Sequence, residues 1–184
     1  MKGINKNLFS HLNIDGEDPA WEKFAQLQFS KKNIFSDNKV YLVEQGLVRK
    51  FYIKEAADID QEISVDFYFP GDVFVVGDGH KEQSSEAVFE SIDKGLAWEI
   101  ELDEVKEMFT VNPDCRFVQN YYLSKKLRAA MNREMLLLKN TPQDLYEYLL
   151  KNKPHYIRHI PLKYLASYIG ITPISLSRIR KRIN

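Results

Sequence analysis

Cysteine is nearly absent from this chain: Cys115 is the only one in 184 residues. No intrachain disulfide can form, a cysteine-rich metal site is excluded, and an iron–sulfur cluster, which takes about four thiolates, cannot be held. One thiol fits a reducing compartment. Long apolar runs are also missing. No stretch approaches the ~20 residues of a membrane span, and the opening MKGINKNLFSHLNIDGEDP meets charge and turn residues too early for a signal peptide. A cytoplasmic protein with no membrane partner is expected. Clustered histidines are lacking too, since His11, His80, His155 and His159 are scattered and only His80 falls in the β-rich part. A metal-dependent enzyme on a β-barrel needs grouped His and carboxylate ligands. No enzyme activity, metal or cofactor is therefore expected, and a lone histidine reads as a surface or packing residue rather than a haem ligand.

Acidic residues are missing from one end only. Hydrophobic residues make up 44% and charged residues 28%, an ordinary globular mixture, and the formal net charge is zero. Eight of the 26 basic residues and none of the 26 acidic ones lie in 148–184, leaving 18 against 26 in the other 147 residues. Glu55–Glu107 alone holds sixteen acids against Lys81, Lys94 and Lys106. The split points to two modules with different partners. A basic end favours a polyanion through counterion release, although charge alone fits a merely solvated cationic tail equally well.

The periodicity divides the chain. Asp18-Pro19 followed by Ala20, Trp21, Phe24, Ala25 and Leu27 predicts a short amphipathic helix capped by Asp18. Short β-rich runs follow at 29–35, 40–44, 47–54, 63–69, 73–76, 87–92 and 96–100, separated by turns such as Gln45-Gly46, Pro70-Gly71-Asp72 and Asp93-Lys94-Gly95. This spacing indicates an antiparallel sandwich or roll. Residues 102–110 read as a short helix, and Asn112-Pro113 opens one that meets no Gly or Pro until about Asn140. Phe117, Tyr121, Met131, Met135 and Leu138 form one stripe on it, and Leu123, Leu127, Ala130 and Leu137 a second. Two apolar faces suggest one against its own domain and one against a partner subunit. Thr141-Pro142 restarts a helix through Leu150, which Pro154 ends. Cys115 reads as a structural thiol near a helix start rather than a redox sensor.

The informative stretch is IPLKYLASYIGITPISLSRIRKRI, residues 160–183. A helix from Pro161 puts Leu162, Leu165, Ala166 and Ile169 on one face, and Gly170 stops it. Thr172 caps a second helix whose Pro173 suits the first position, with Leu176, Ile179 and Ile183 on its inner side. Ala166 leaves room for the two helices to cross. This is the pattern of a helix-turn-helix. The outer face carries Ile174, Ser175, Ser177, Arg178 and Lys181, with Arg180 and Arg182 beside them. A recognition helix needs small or polar residues in its first turn to enter the major groove, and an arginine one turn later to grip guanine O6 and N7. Arg178 fits that role.

LASYIGITPISLSRIRK resembles the helix-turn-helix of the family of the cyclic-AMP receptor protein and the fumarate–nitrate regulator (Crp/Fnr). Gln45-Gly46-Leu47-Val48-Arg49 is similar to that family's mid-roll turn, and Phe69-Pro70-Gly71-Asp72 to the start of its ligand-pocket segment. The resemblance implies an α+β chain: a β-roll of the cyclic-nucleotide-binding type over 1–110, a long dimerisation helix over 111–140, and a winged-helix-like DNA-binding domain over 141–184. It further implies a homodimer reading two half-sites, with RNA polymerase as a further partner. Arg178 falls on the family's base-reading arginine and Ser175 on a backbone-contacting hydroxyl. Ile174 stands where Glu is usual; it cannot accept from cytosine but can pack on a thymine methyl, so the operator should differ. Thr172, Ser177, Arg180, Lys181, Arg182 and Lys163 complete the expected DNA-binding set.

The pocket departs from the family. The candidate effector residues are Gly71, Asp72, Ser84 and Ser85, but the family's phosphate-binding arginine has no counterpart, since no arginine lies between Glu55 and Glu107. A phosphate among sixteen acids without an arginine fork is electrostatically unfavourable, so cyclic AMP is not expected to bind. The reading is a sequence-specific transcription regulator with an altered or degenerate pocket and an unidentified small-molecule effector. The alternative is a small-molecule-sensing roll whose C-terminal helices make protein contacts.

Overall fold

A computed structural model describes residues 7, 19–55, 60–77, 87–111 and 113–183. After a 3-10 turn at Pro19–Lys23, the described residues form seven strands: β1 (Ala25–Phe29), β2 (Lys39–Gln45), β3 (Val48–Lys54), β4 (Gln61–Tyr68), β5 (Val73–Val76), β6 (Val88–Ser91) and β7 (Gly95–Glu101). Six helices follow: α1 (Leu102–Val111), α2 (Pro113–Lys139), α3 (Pro142–Asn152), α4 (Pro154–His159), α5 (Leu162–Ile169) and α6 (Pro173–Ile183). The chain forms two compact units, one of residues 1–50 and 67–124 and one of residues 51–66 and 125–184.

In the first unit the strands build two sheets, ordered β1-β7-β2-β5 and β4-β3-β6. The central strand β2 is buried on both faces, and its alternation separates two cores. Tyr41 and Val43 face an interior filled by Phe29, Phe35, Tyr68, Phe74 and Phe89. Phe74 stacks on Tyr41 and on Phe89 with ring centroids 5.0 and 5.1 Å apart. Val40 and Leu42 face the other way, joining Trp21, Phe24, Trp98, Ile100 and Leu102, with Tyr122 of α2 packed against them. The Tyr122 hydroxyl donates to the Val73 carbonyl, and the Trp98 indole N–H to Glu44. Gly95 is fixed by close approach: a Cβ there would lie 2.1 Å from the Gln45 carbonyl oxygen. Arg49, only 1% exposed, is held inside the roll by Glu90, with Nη2–Oε2 at 2.6 Å.

Two expectations need correction. The helix expected from Asp18 to Leu27 is only a 3-10 turn, Pro19–Lys23, and its intended cap lies outside the described residues. Past Phe24 the alternation of exposed Gln26 and Gln28 with Leu27 and Phe29 wins, because it lets β1 pair with β7 from Ala25↔Glu99 to Phe29↔Gly95. The strand expected at 29–35 keeps only its first residue. Lys32 adopts φ 64° and turns the chain, leaving Ile34 as an isolated bridge to Glu90. As expected, α3 ends just before Pro154, which then takes the first position of the short α4, where a proline is tolerated.

In the second unit α3 to α6 enclose Leu145, Tyr146, Leu149, Tyr156, Ile160, Leu165, Ala166, Tyr168, Ile169, Leu176 and Ile179. The β3–β4 hairpin packs with them. All described elements of 141–183 are helical, so the β-hairpin that the winged-helix-like expectation implied is not found among them. Among the described residues no helix is long and apolar enough to cross a membrane.

Candidate nucleic-acid interface

The two helices that carry the expected site are joined at a tight corner. Gly170 adopts φ 86°, and the Ile171 N–H returns to the Ala166 carbonyl at 3.0 Å, closing α5 in a left-handed cap. Nothing lies within 4 Å of a Cβ built on Gly170, so backbone conformation rather than space calls for glycine there. Thr172 then opens α6. Its hydroxyl accepts from the Ser175 N–H at 3.2 Å, and its carbonyl accepts from the Leu176 N–H at 3.0 Å. Ala166 is fully buried beside buried Leu165, Ile169, Leu176 and Ile179, the arrangement of two helices crossing closely over a small residue.

With Leu176 and Ile179 turned inward, the helical period puts Ile174, Arg178, Lys181 and Arg182 on the opposite face. All four are exposed, and Ile174, 67% exposed, is an unusually open apolar residue. Three of the four are cationic, no acid occurs in α6, and no described residue pairs with the Arg178 guanidinium. Arg180 departs from the expected grouping. It is half-buried, one turn beyond Leu176 and so on the flank of the inner face. Ser175 and Ser177 are half-buried, and the Ser175 hydroxyl sits 3.0 Å from that of Thr172, so it helps fix the corner. Lys163 lies on α5 with its ammonium 3.9 Å from Glu62 of the hairpin.

The candidate effector residues are placed differently. Gly71 and Asp72 form a turn in which the Asp72 carboxylate accepts from the Phe69 N–H at 2.9 Å and the Gly71 N–H donates to the Val43 carbonyl at 2.8 Å. These polar groups are thus engaged within the turn and by β2. Ser84 and Ser85 lie outside the described residues. A cavity of about 20 Å³ does exist, in the second unit, lined by Arg133, Leu136, Leu145, Tyr148 and Tyr168 among others. That volume suits one water and not a nucleotide. Burial pushes the Tyr168 phenol up from its ordinary range.

Two residues went unremarked in the sequence. Arg133, among the apolar residues of α2, donates to the Tyr168 carbonyl at 3.2 Å and lies 4.6 Å from the centroid of that ring. Ser167, on α5, bonds to the hairpin. A cation in an otherwise apolar helix face was the available signal for Arg133. Nothing local singles out Ser167.

The long helix carries a third feature. Leu123, Leu127, Met131, Met135 and Leu138 are exposed, Leu138 by 80%. At 3.6 residues per turn they form one stripe, about 22 Å long, opposite the face of Tyr122, Arg133 and Leu136. It unites members of both predicted stripes. The side chains of Phe117 and Tyr121 lie outside the described residues.

No protein-family model matches the sequence, and no curated protein sequence matches it. Solved structures do match. FixK2 from Bradyrhizobium japonicum aligns with TM-score 0.72 at 19% identity, over 87% of this chain and 84% of its own. A crp/fnr-family transcriptional regulator from Eubacterium rectale aligns with TM-score 0.66 at 14% identity, over 97% and 83%. CLP from Xanthomonas campestris, a c-di-GMP-responsive global regulator, aligns with TM-score 0.64 at 16% identity, over 97% and 91%. The fold is therefore similar to that of Crp/Fnr-type regulators.

Proposed function

We propose that this chain is a sequence-specific DNA-binding transcription regulator acting as a homodimer. The observation that carries the reading is the outer face of α6: Arg178, Lys181 and Arg182 exposed around an open Ile174, on a helix without acids. Such a face complements phosphates and base edges together. A hairpin of helices built only for protein contact has no need to keep three cations exposed and free of acids. In this reading Thr172 and Ser175 fix the entry angle of α6, Arg178 reads a guanine, and Lys181 and Arg182 meet phosphates.

The exposed stripe on α2 supports dimerisation, since an apolar strip of this length is costly to leave in water and matches a second copy of itself. The two recognition helices then meet half-sites about one helical turn, 10–10.5 bp, apart, and RNA polymerase is the further partner of such a regulator. An aromatic-filled roll and an engaged Gly71–Asp72 turn support an altered or degenerate effector site rather than a cyclic-nucleotide pocket.

Duplex binding measured across salt concentrations tests the reading. Affinity should fall steeply as salt rises, with a log–log slope of about −0.9 per phosphate neutralised. Affinity for random duplex no better than millimolar at low salt would move the C-terminal helices to a protein-contact role.

A further inference from the structure

We propose that the β3–β4 hairpin is an autoinhibitory strap on the DNA-reading helices, docked on α5 so that it holds acidic groups beside a surface that must approach DNA. The proposal rests on the DNA-binding reading above. The contact is specific. The Ser167 hydroxyl accepts from the Ser64 N–H at 2.9 Å and donates to the Glu62 carbonyl at 2.8 Å. β4 lies at the edge of its sheet, and residues two apart on a strand direct their backbone groups to the same side. One hydroxyl of α5 thus takes the place of a neighbouring strand. Arg133 adds a bond from Nη2 to the Ser64 carbonyl at 3.4 Å, while the same nitrogen reaches Tyr168 at the end of α5. Lys126 approaches Asp66 at 3.8 Å.

The dock brings Glu62 to 3.9 Å from Lys163, one of the cations expected on DNA. Approaching phosphates would meet that carboxylate and a partly neutralised lysine, so the docked hairpin opposes binding. The dock is also built to open. Ser64 is fully buried, yet no described residue bonds its side-chain oxygen, and none bonds Nε of Arg133. Two buried polar atoms that gain no bond from a described residue on docking make the contact weaker than its burial alone would suggest, relative to an undocked state in which water reaches both freely. The two ion pairs are partly exposed and weak. Release of the strap therefore raises DNA affinity, and whatever binds the hairpin preferentially when it is free acts as an activator.

Two variants of the full chain test this, with Ser64 amide hydrogen exchange and random-duplex affinity at low salt as readouts. Ser167→Ala, which places a good helix former in α5, should speed Ser64 exchange and raise duplex affinity about two- to fivefold, the range of one or two surface pairs. Glu62→Gln should raise affinity similarly and steepen the salt slope by up to about one. Unchanged Ser64 exchange in Ser167→Ala would overturn the contact. Faster exchange with duplex affinity equal to or below the parent's in both variants would overturn the inhibitory role while leaving the DNA reading intact. Failure of the parent and of both variants to bind duplex at all would remove the DNA reading, and this proposal with it.

Discussion

At the scale of single residues, the proposed function assigns specificity to a few side chains of α6 with roles that differ in kind. Arg178 and Arg182 share a face and a charge, but only the former stands one turn into the helix, where a base edge can be reached. Arg178→Ala should cost about 1–3 kcal/mol at one base position and relax preference there, as read by competition among single-base operator variants. Arg182→Ala should weaken all duplexes alike and reduce the salt slope by about one. Equal behaviour of the two would contradict the assignment. Ile174 offers a sharper check. Ile174→Glu should exchange a preference for a thymine methyl for one for cytosine at its base pair, detectable by selecting bound sequences from a random duplex pool.

At the scale of elements, the start of α3 shows how a local motif fixes a helix end. Thr141 and Asp144 form a capping box: the Thr141 hydroxyl accepts from the Asp144 N–H at 3.3 Å, and the Asp144 carboxylate accepts from the Thr141 N–H at 3.0 Å. The hydrogen bond from the Thr141 hydroxyl, aided by that from its backbone, holds the Asp144 carboxyl below its ordinary range. Because the folded pKa is depressed, this contribution is complete above the unfolded value, near 3.9, and is lost as pH falls through the lower folded value. Thr141→Ala should cost about 1 kcal/mol in denaturant unfolding at neutral pH and return the Asp144 titration, followed by NMR, toward that of a free aspartate. A smaller difference between variant and parent is expected at the acid end, where the carboxylate is protonated in both.

At the scale of the whole molecule, the proposed homodimer rests on the exposed stripe of α2. Leu127, in the middle of it and 64% exposed, makes no packing contribution that a folded monomer needs. Leu127→Glu should therefore leave the thermal unfolding of the subunit nearly unchanged while converting a dimer into a monomer, measured by light scattering. Loss of the second half-site should then weaken operator binding by at least about tenfold, because the two recognition helices no longer act at a shared effective concentration. A variant that stays dimeric would place the subunit contact elsewhere.

The sequence by itself determined the elements whose signals are local. Gly170, Thr172 and Pro173 fix the corner between α5 and α6, the spacing of Leu165, Ala166, Leu176 and Ile179 fixes their crossing, and turn residues mark six of the seven strands closely. It failed at β1, where a helical reading of Trp21 to Leu27 was outweighed by pairing with β7, a strand some seventy residues away. Only the tertiary structure decided that the face of α2 left open combines both predicted stripes, since which side of a long helix is covered depends on what packs there. It alone brought Ser167 to Glu62 and Ser64, more than a hundred residues earlier in the chain. A single hydroxyl bonding a distant strand edge has no periodicity and no composition to announce it. Periodic patterns report what a segment must bury, whereas pairwise polar contacts depend on where the fold carries each partner.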